Sequence, residues 1–159
     1  MVIKLYKTYV RPLLESSVQA WNPWLQRDID RIERVQRRAT KLVSGIGSKP
    51  YEERLKICKI TTLEERRKRG DLLECYKIMN GFGDNDMSEF FCMAKDRHNV
   101  NTRGASEGLF VPQQTRLDIR KFFFLNRVVN AWNELPFEIR DASGVNTFKN
   151  LYDLYMTTD

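Results

Sequence analysis

Five cations recur on one side of a single segment. If the stretch from Leu25 to Val43 is wound as a helix, Arg27, Arg31, Arg34, Arg38 and Lys41 fall within an arc of about 80° at ~100° per residue. Helical neighbours three and four residues apart stand roughly 5 to 6 Å from each other, so the row presents regularly spaced positive charge. That spacing suits a polyanion, because each phosphate met by an Arg or Lys adds a salt-sensitive, sequence-independent increment of affinity. The opposite arc, roughly 140° wide, holds Leu25, Ile29, Ile32, Val35, Ala39, Leu42 and Val43. The segment is expected to turn this apolar arc to a core and the basic arc to solvent. Asp28, Asp30 and Glu33 on the same helix offer some cations local partners, so a merely solvated basic face is the alternative.

Catalytic chemistry is poorly represented. His98 is the only histidine, and no Ser or Cys nucleophile motif stands beside it. The chain has no phosphate-binding glycine-rich loop before a helix, no pair of histidines at helical spacing and no dinucleotide fingerprint. Glu52 with Glu53, and Glu64 with Glu65, sit where the first turn of a helix favours negative charge, which accounts for them. No catalytic residue, metal ligand or cofactor is therefore assigned to the chain itself. Cys58, Cys75 and Cys92 are evenly spaced but lack the close pairing of zinc sites, and Cys75 and Cys92 lie among apolar residues as core cysteines do. Their odd number argues against a disulfide scaffold and for a reducing compartment. Trp21, Trp24 and Trp132 have faces on which bases can stack, but tryptophans at helical or turn positions more often fill a core, and none is assigned to stacking.

Charge is distributed unevenly. Residues 1–80 carry 18 Lys and Arg against 10 Asp and Glu, and residues 81–159 carry 9 against 11, so a half of net charge +8 precedes one of −2. A one-sided electrostatic footprint favours nucleic acid or an anionic surface over a small-molecule substrate. No stretch approaches the ~18 apolar residues of a membrane span, and no signal-peptide pattern is present. A soluble intracellular protein, nuclear or cytoplasmic and without a membrane partner, is expected. Met1 runs straight into Ile3, Leu5, Tyr6 and Val10 at helical spacing, as in a chain that starts inside a fold.

The elements that must position the row are mostly helical. A first helix is expected from Val2 to Glu15 with Ile3, Tyr6, Val10, Leu13 and Leu14 inward and a kink at Pro12. An aromatic turn through Trp21, Pro23 and Trp24 leads into the basic helix, which should stop near Gly45 and Gly47. A short helix from Tyr51 to Cys58 follows. Thr61 and Thr62, with Glu64 and Glu65 three residues later, form a capping-box signal for a helix over Leu63 to Met79 whose later turns are buried. Residues 82–87 read as a polar turn, Ser88 as the cap of a short helix through Met93, and Lys95 to Pro112 as the least ordered stretch, with a short strand or extended clip at Leu109 to Val111. One helix over Asp118 to Leu135, ended by Pro136, and another from Val145 to Met156 close the core. The fold class is mainly α: a single helical-bundle domain of about five to seven helices, divided as a basic region over 1–93, a loop-rich connector over 94–117 and C-terminal helices over 118–159.

The segment Leu5-Tyr6-Lys7, Val10-Arg11-Pro12-Leu13-Leu14-Glu15 and Trp21-Asn22-Pro23 resembles the region just after the polymerase palm in non-LTR, LINE-type retrotransposon reverse transcriptases of the jockey and CR1-like kind. The resemblance runs on through Ile32 to Lys41, Tyr51 to Leu55, Leu63 to Arg67, Gly70-Asp71-Leu72 and Tyr76 to Gly81. It closes with Arg116, Arg120, Arg127 to Asn133 and Leu135-Pro136, so nearly the whole chain is covered in order.

The resemblance implies a thumb-like, post-polymerase portion of such an element. Parent polymerases copy RNA into DNA with divalent metal, expected to be magnesium, held by palm aspartates, and an endonuclease often nicks the target. Neither the Tyr-Ala-Asp-Asp palm motif nor an endonuclease is in this chain. The implied product is a non-catalytic module whose Arg27, Arg31, Arg34, Arg38 and Lys41 hold the backbone of an RNA–DNA or DNA duplex weakly, non-specifically and salt-sensitively, with the palm and fingers as its protein partner. The alternative is a helical structural or protein-interaction module with no nucleic-acid role. An independent DNA-binding regulator would need a helix-turn-helix or a dimerisation heptad, and neither is legible.

Overall fold

The computed structural model describes residues 1–82, 91–94 and 108–158. The expected turn over 82–87 from position 83 on, the start of the helix capped by Ser88 and the loop carrying His98 lie outside these residues; that helix does not reach Met93 as expected, since Phe91 and Cys92 are non-helical and Met93 is drawn into a bridge with Phe110. Nine α-helices and no strand occur among the described residues, so the chain is mainly α. It divides into two compact units, Met1–Gly70 and Asp71–Asp159.

The first unit opens with a helical path that changes pitch twice: α1 (Val2–Leu5), a π-helical turn (Tyr6–Val10) and a 3₁₀ turn (Arg11–Leu14). Pro12 accounts for the change, since its ring crowds the preceding turn and it donates no N–H; the N–H of Arg11 reaches back five residues to the carbonyl of Tyr6. The inward face expected here is narrower than periodicity suggested. Tyr6 alone is buried, whereas Val10 and Leu13 are exposed and Ile3 and Leu14 are half-buried. Next come α2 (Val18–Trp21), α3 (Gln26–Lys41) and α4 (Tyr51–Cys58). After α3 the chain turns through Gly45, whose φ of +80° is left-handed backbone open to glycine.

Helix α5 (Leu63–Met79) starts on the capping box read from the sequence: Thr62 Oγ1 accepts the N–H of Glu65 at 3.2 Å, and Glu65 Oε2 accepts that of Thr62 at 2.9 Å. Its later turns carry Leu72, Cys75, Tyr76 and Ile78 into the core of the second unit.

That core is aromatic. Tyr76 stacks on Phe148 with centroids 4.5 Å apart, Phe91 on Phe110 at 4.4 Å, and Trp132 on Phe148 at 6.2 Å. Leu109 to Val111 is the extended clip rather than a strand: it makes an isolated bridge from Phe110 to Met93, and Asn133 exchanges two hydrogen bonds with the Phe110 backbone at 2.9 and 3.0 Å. Asp71 takes a two-pronged ion pair from Arg127, with Nε and Nη2 at 2.8 and 2.9 Å from its oxygens.

The long helix expected over Asp118 to Leu135 is broken. It consists of α6 (Asp118–Lys121) and α7 (Phe124–Asn133), separated by Phe123 in extended backbone, and Ile119 and Phe123 are exposed. Side chains take up the carbonyls released by the break: Asn126 Nδ2 donates to Arg120 O at 2.6 Å, and Arg127 Nη1 to Phe122 O at 3.1 Å. Helix α8 (Phe137–Arg140) follows Pro136, and α9 (Val145–Thr158) brings Phe148 and Tyr152 into the core.

Candidate nucleic-acid interface

All five cations of the row lie on α3 and are exposed. They are not equivalent. Asp28 draws on the first two, lying 3.5 Å from Arg27 Nε and 3.3 Å from Arg31 Nη1. Arg34, Arg38 and Lys41 form no ion pair with the described residues. The local partner expected of Glu33 is not there, because Glu33 is only 7% exposed and faces the interior.

Burial on α3 differs from the expected apolar arc. Ile29, Ile32, Ala39 and Val43 are half-buried, but Leu25, Val35 and Leu42 are exposed, Leu42 by 65%. The fully buried positions are Glu33, Gln36 and Thr40, which centre roughly 80° round the helix from the apolar arc at ~100° per residue. A polar seam is therefore the innermost part of this helix.

Glu33 and Gln36 are satisfied by partners far away in the chain, whereas Thr40 Oγ1 donates locally to Arg37 O at 3.0 Å. Gln36 Oε1 accepts the Tyr6 hydroxyl at 2.9 Å, and Gln36 Nε2 faces Tyr51 Oη and Thr61 O at 2.9 Å and Glu33 Oε1 at 3.3 Å. The Tyr51 hydroxyl donates to Glu33 Oε1, and Glu33 Oε2 accepts the N–H of Leu63, the first residue of α5, at 2.9 Å. The carboxylate thus sits at the positive end of a 17-residue helix, where negative charge is stabilised. Burial, with the nearby Glu33 charge, raises the pKa of the Tyr6 phenol; burial and the Glu33 hydrogen bond raise that of Tyr51. Both remain neutral donors, as the network requires.

A second set of cations is committed to structure. Arg37 lies over the Tyr51 ring at 4.4 Å, and its carbonyl accepts Arg54 Nη1 at 2.9 Å. Glu15 receives Arg66 through both nitrogens of its fork, with Nη2 at 2.8 Å, and Arg11 at 3.4 Å. Arg67, almost fully buried, donates from Nε to Asn22 at 2.9 Å. These contacts hold α4 to α3, and the start of α5 to Glu15 and to Asn22 at the end of α2, without drawing on Arg34, Arg38 or Lys41.

Of the three tryptophans only Trp132 fills a core; Trp21 and Trp24 are 39% and 44% exposed. Cys75 is buried, and burial followed by the nearby Asp71 charge raises its thiol pKa. Cys92 is exposed, contrary to the core position expected from its apolar neighbours, because it lies between Phe91 and Met93 in non-helical backbone and these two take the buried places. No group of three or more His, Cys, Asp or Glu among the described residues is placed to hold a metal ion. Among the same residues no helix is long and apolar enough to cross a membrane.

Periodicity alone missed the polar seam, since its partners at Tyr6, Tyr51 and Leu63 are remote in the chain. The one available signal was two residues with hydrogen-bonding side chains, Glu33 and Gln36, at i,i+3 on the flank of the apolar arc. Compared with protein-family models, with curated proteins and with solved structures, the chain finds no match.

Proposed function

We propose that the chain is a non-catalytic, thumb-like module of a LINE-type retrotransposon reverse transcriptase that holds the backbone of a primer–template duplex. One observation carries the reading: Arg34, Arg38 and Lys41 stand exposed and without an ion-pair partner among the described residues, on a helix whose orientation is held by a buried hydrogen-bond network. The family resemblance supplies the context. Chemistry would belong to a palm with its magnesium ions outside this chain, and the module would be intracellular. Contacts to phosphate alone make the binding insensitive to base sequence and steeply dependent on salt.

Titration of a labelled RNA–DNA hybrid at several salt concentrations tests this. The unaltered chain should bind with a log–log salt slope that falls by about 2 to 3 when Arg34, Arg38 and Lys41 are changed to Ala. An unchanged affinity and slope would remove the proposal in favour of a protein-interaction module, a reading supported by the exposed Leu5, Tyr9 and Leu13 near the start of the first unit. Primer-extension assays on the purified chain should give no product.

A further inference from the structure

We infer that Trp21 and Trp24 form a stacking platform for unpaired bases at one end of the cationic row, so that the preferred ligand is a duplex with a single-stranded extension; this rests on the phosphate-contact reading above. Tryptophan is on average a highly buried residue, yet here two within four positions are exposed. Trp21, the last residue of α2, is already fixed: its indole N–H donates to Ser16 O at 2.6 Å. That bond satisfies the polar edge of the ring and leaves a π-face to be covered. Pro23 stiffens the link to Trp24, which directly precedes Leu25, the cap of α3. Arg27, the first cation of the row, follows Trp24 by three residues.

Aromatic surface and regularly spaced cations thus adjoin along one stretch of chain. This is the combination that holds single strands: cations follow the phosphates while any base, having a π-face, stacks on an aromatic ring. A lipid surface suits the patch less well, since the helix that begins beside the tryptophans buries a polar seam and has no continuous, strongly apolar face to lay into a bilayer. A purely apolar protein partner would leave the adjoining charge unanswered.

The test uses the full chain with two probes, a blunt RNA–DNA hybrid and the same hybrid with a short single-stranded extension. The extension should tighten binding about 5-fold or more and quench tryptophan emission, against a constant background from Trp132 in its core. The double variant Trp21→Ala/Trp24→Ala should lose that gain and keep the affinity and salt slope for the blunt hybrid. Trp21→Phe/Trp24→Phe should keep most of the gain, since stacking survives without the indole N–H. Equal affinity for the two probes, a gain retained by the Ala variant, or an equal loss on both probes would each overturn the platform. So would a blue-shifted emission on anionic vesicles with no gain from the extension. Blunt-hybrid binding indifferent to Arg34, Arg38 and Lys41 would instead overturn the phosphate contact on which the platform rests.

Discussion

Glu33 accepts the backbone N–H of Leu63 at 2.9 Å, joining the middle of α3 to the first turn of α5 across 30 positions of chain. The carboxylate also takes the Tyr51 hydroxyl, so its removal orphans two buried donors at once, while the Gln36 amide keeps Tyr51 Oη and Thr61 O. Glu33→Ala should destabilise the first unit by about 2 to 4 kcal/mol. Glu33→Gln, which keeps an acceptor but no charge, should cost less. Urea unfolding followed by circular dichroism measures both, and a loss below about 0.5 kcal/mol for the Ala variant would show that the seam contributes nothing beyond an ordinary surface position.

Asp28 holds back the first two cations of the row. Asp28→Asn should release Arg27 and Arg31, tightening hybrid binding several-fold at low salt and steepening the salt slope by about 1 to 2. The effect should vanish when Arg27 and Arg31 are also changed to Ala. Binding by Asp28→Asn no tighter than by the unaltered chain would mean that these two arginines lie off the ligand.

Alkali should attack the same seam from the other side. Tyr6 and Tyr51 have phenol pKa values raised above the ordinary 10.0, so the folded state disfavours their ionised forms. Their contribution is complete below pH 10, the ordinary value, and is lost as the pH rises above it, because the unfolded chain releases the two protons first. The stability of the first unit should fall by up to about 1.4 kcal/mol per pH unit for each phenol. Tyrosinate absorbance compared between the unaltered chain and Tyr6→Phe/Tyr51→Phe should show that Tyr6 and Tyr51 ionise only on unfolding, and a difference that titrates smoothly in the folded chain would contradict this.

In the second unit, the Asp71–Arg127 pair is nearly buried and two-pronged, and Arg127 also lies 5.7 Å from the Phe124 ring centroid. Breaking it with Asp71→Ala should cost about 3 to 5 kcal/mol, because a guanidinium would be left in a dry site. Arg127→Lys should also destabilise, since an ammonium cannot reproduce the fork or reach the Phe122 carbonyl as well. Thermal unfolding of the two variants settles the order, and a silent Arg127→Lys would mean that the fork geometry is unimportant.

How far the sequence could be read depended on how local the forces were. Helices α3 and α9 were legible from 3.6-residue periodicity, α4 from Pro50 ahead of it, and α5 from a capping box whose four groups lie within four residues. The five cations were legible for the same reason. The orientation of α3 was not, because hydrophobic periodicity gives the apolar arc the inward place and is blind to Tyr6 and Tyr51, which satisfy Glu33 and Gln36 from elsewhere in the chain. The break between α6 and α7 escaped similarly: Asn126 and Arg127 look like ordinary helix residues until their side chains are seen on the carbonyls of Arg120 and Phe122. The exposure of Trp21 and Trp24 ran against a compositional habit rather than a physical rule.

Under the proposed duplex contact, the seam of Glu33, Gln36 and Thr40 would make folding and ligand affinity separately heritable. Every contact that aims α3 is made by residues other than Arg34, Arg38 and Lys41, so exchanging these three for Lys, Gln or Ser leaves the scaffold intact. Mutation would then retune the proposed grip on a polyanion in small steps, charge by charge, while a change in the seam is tested first by whether the chain folds at all.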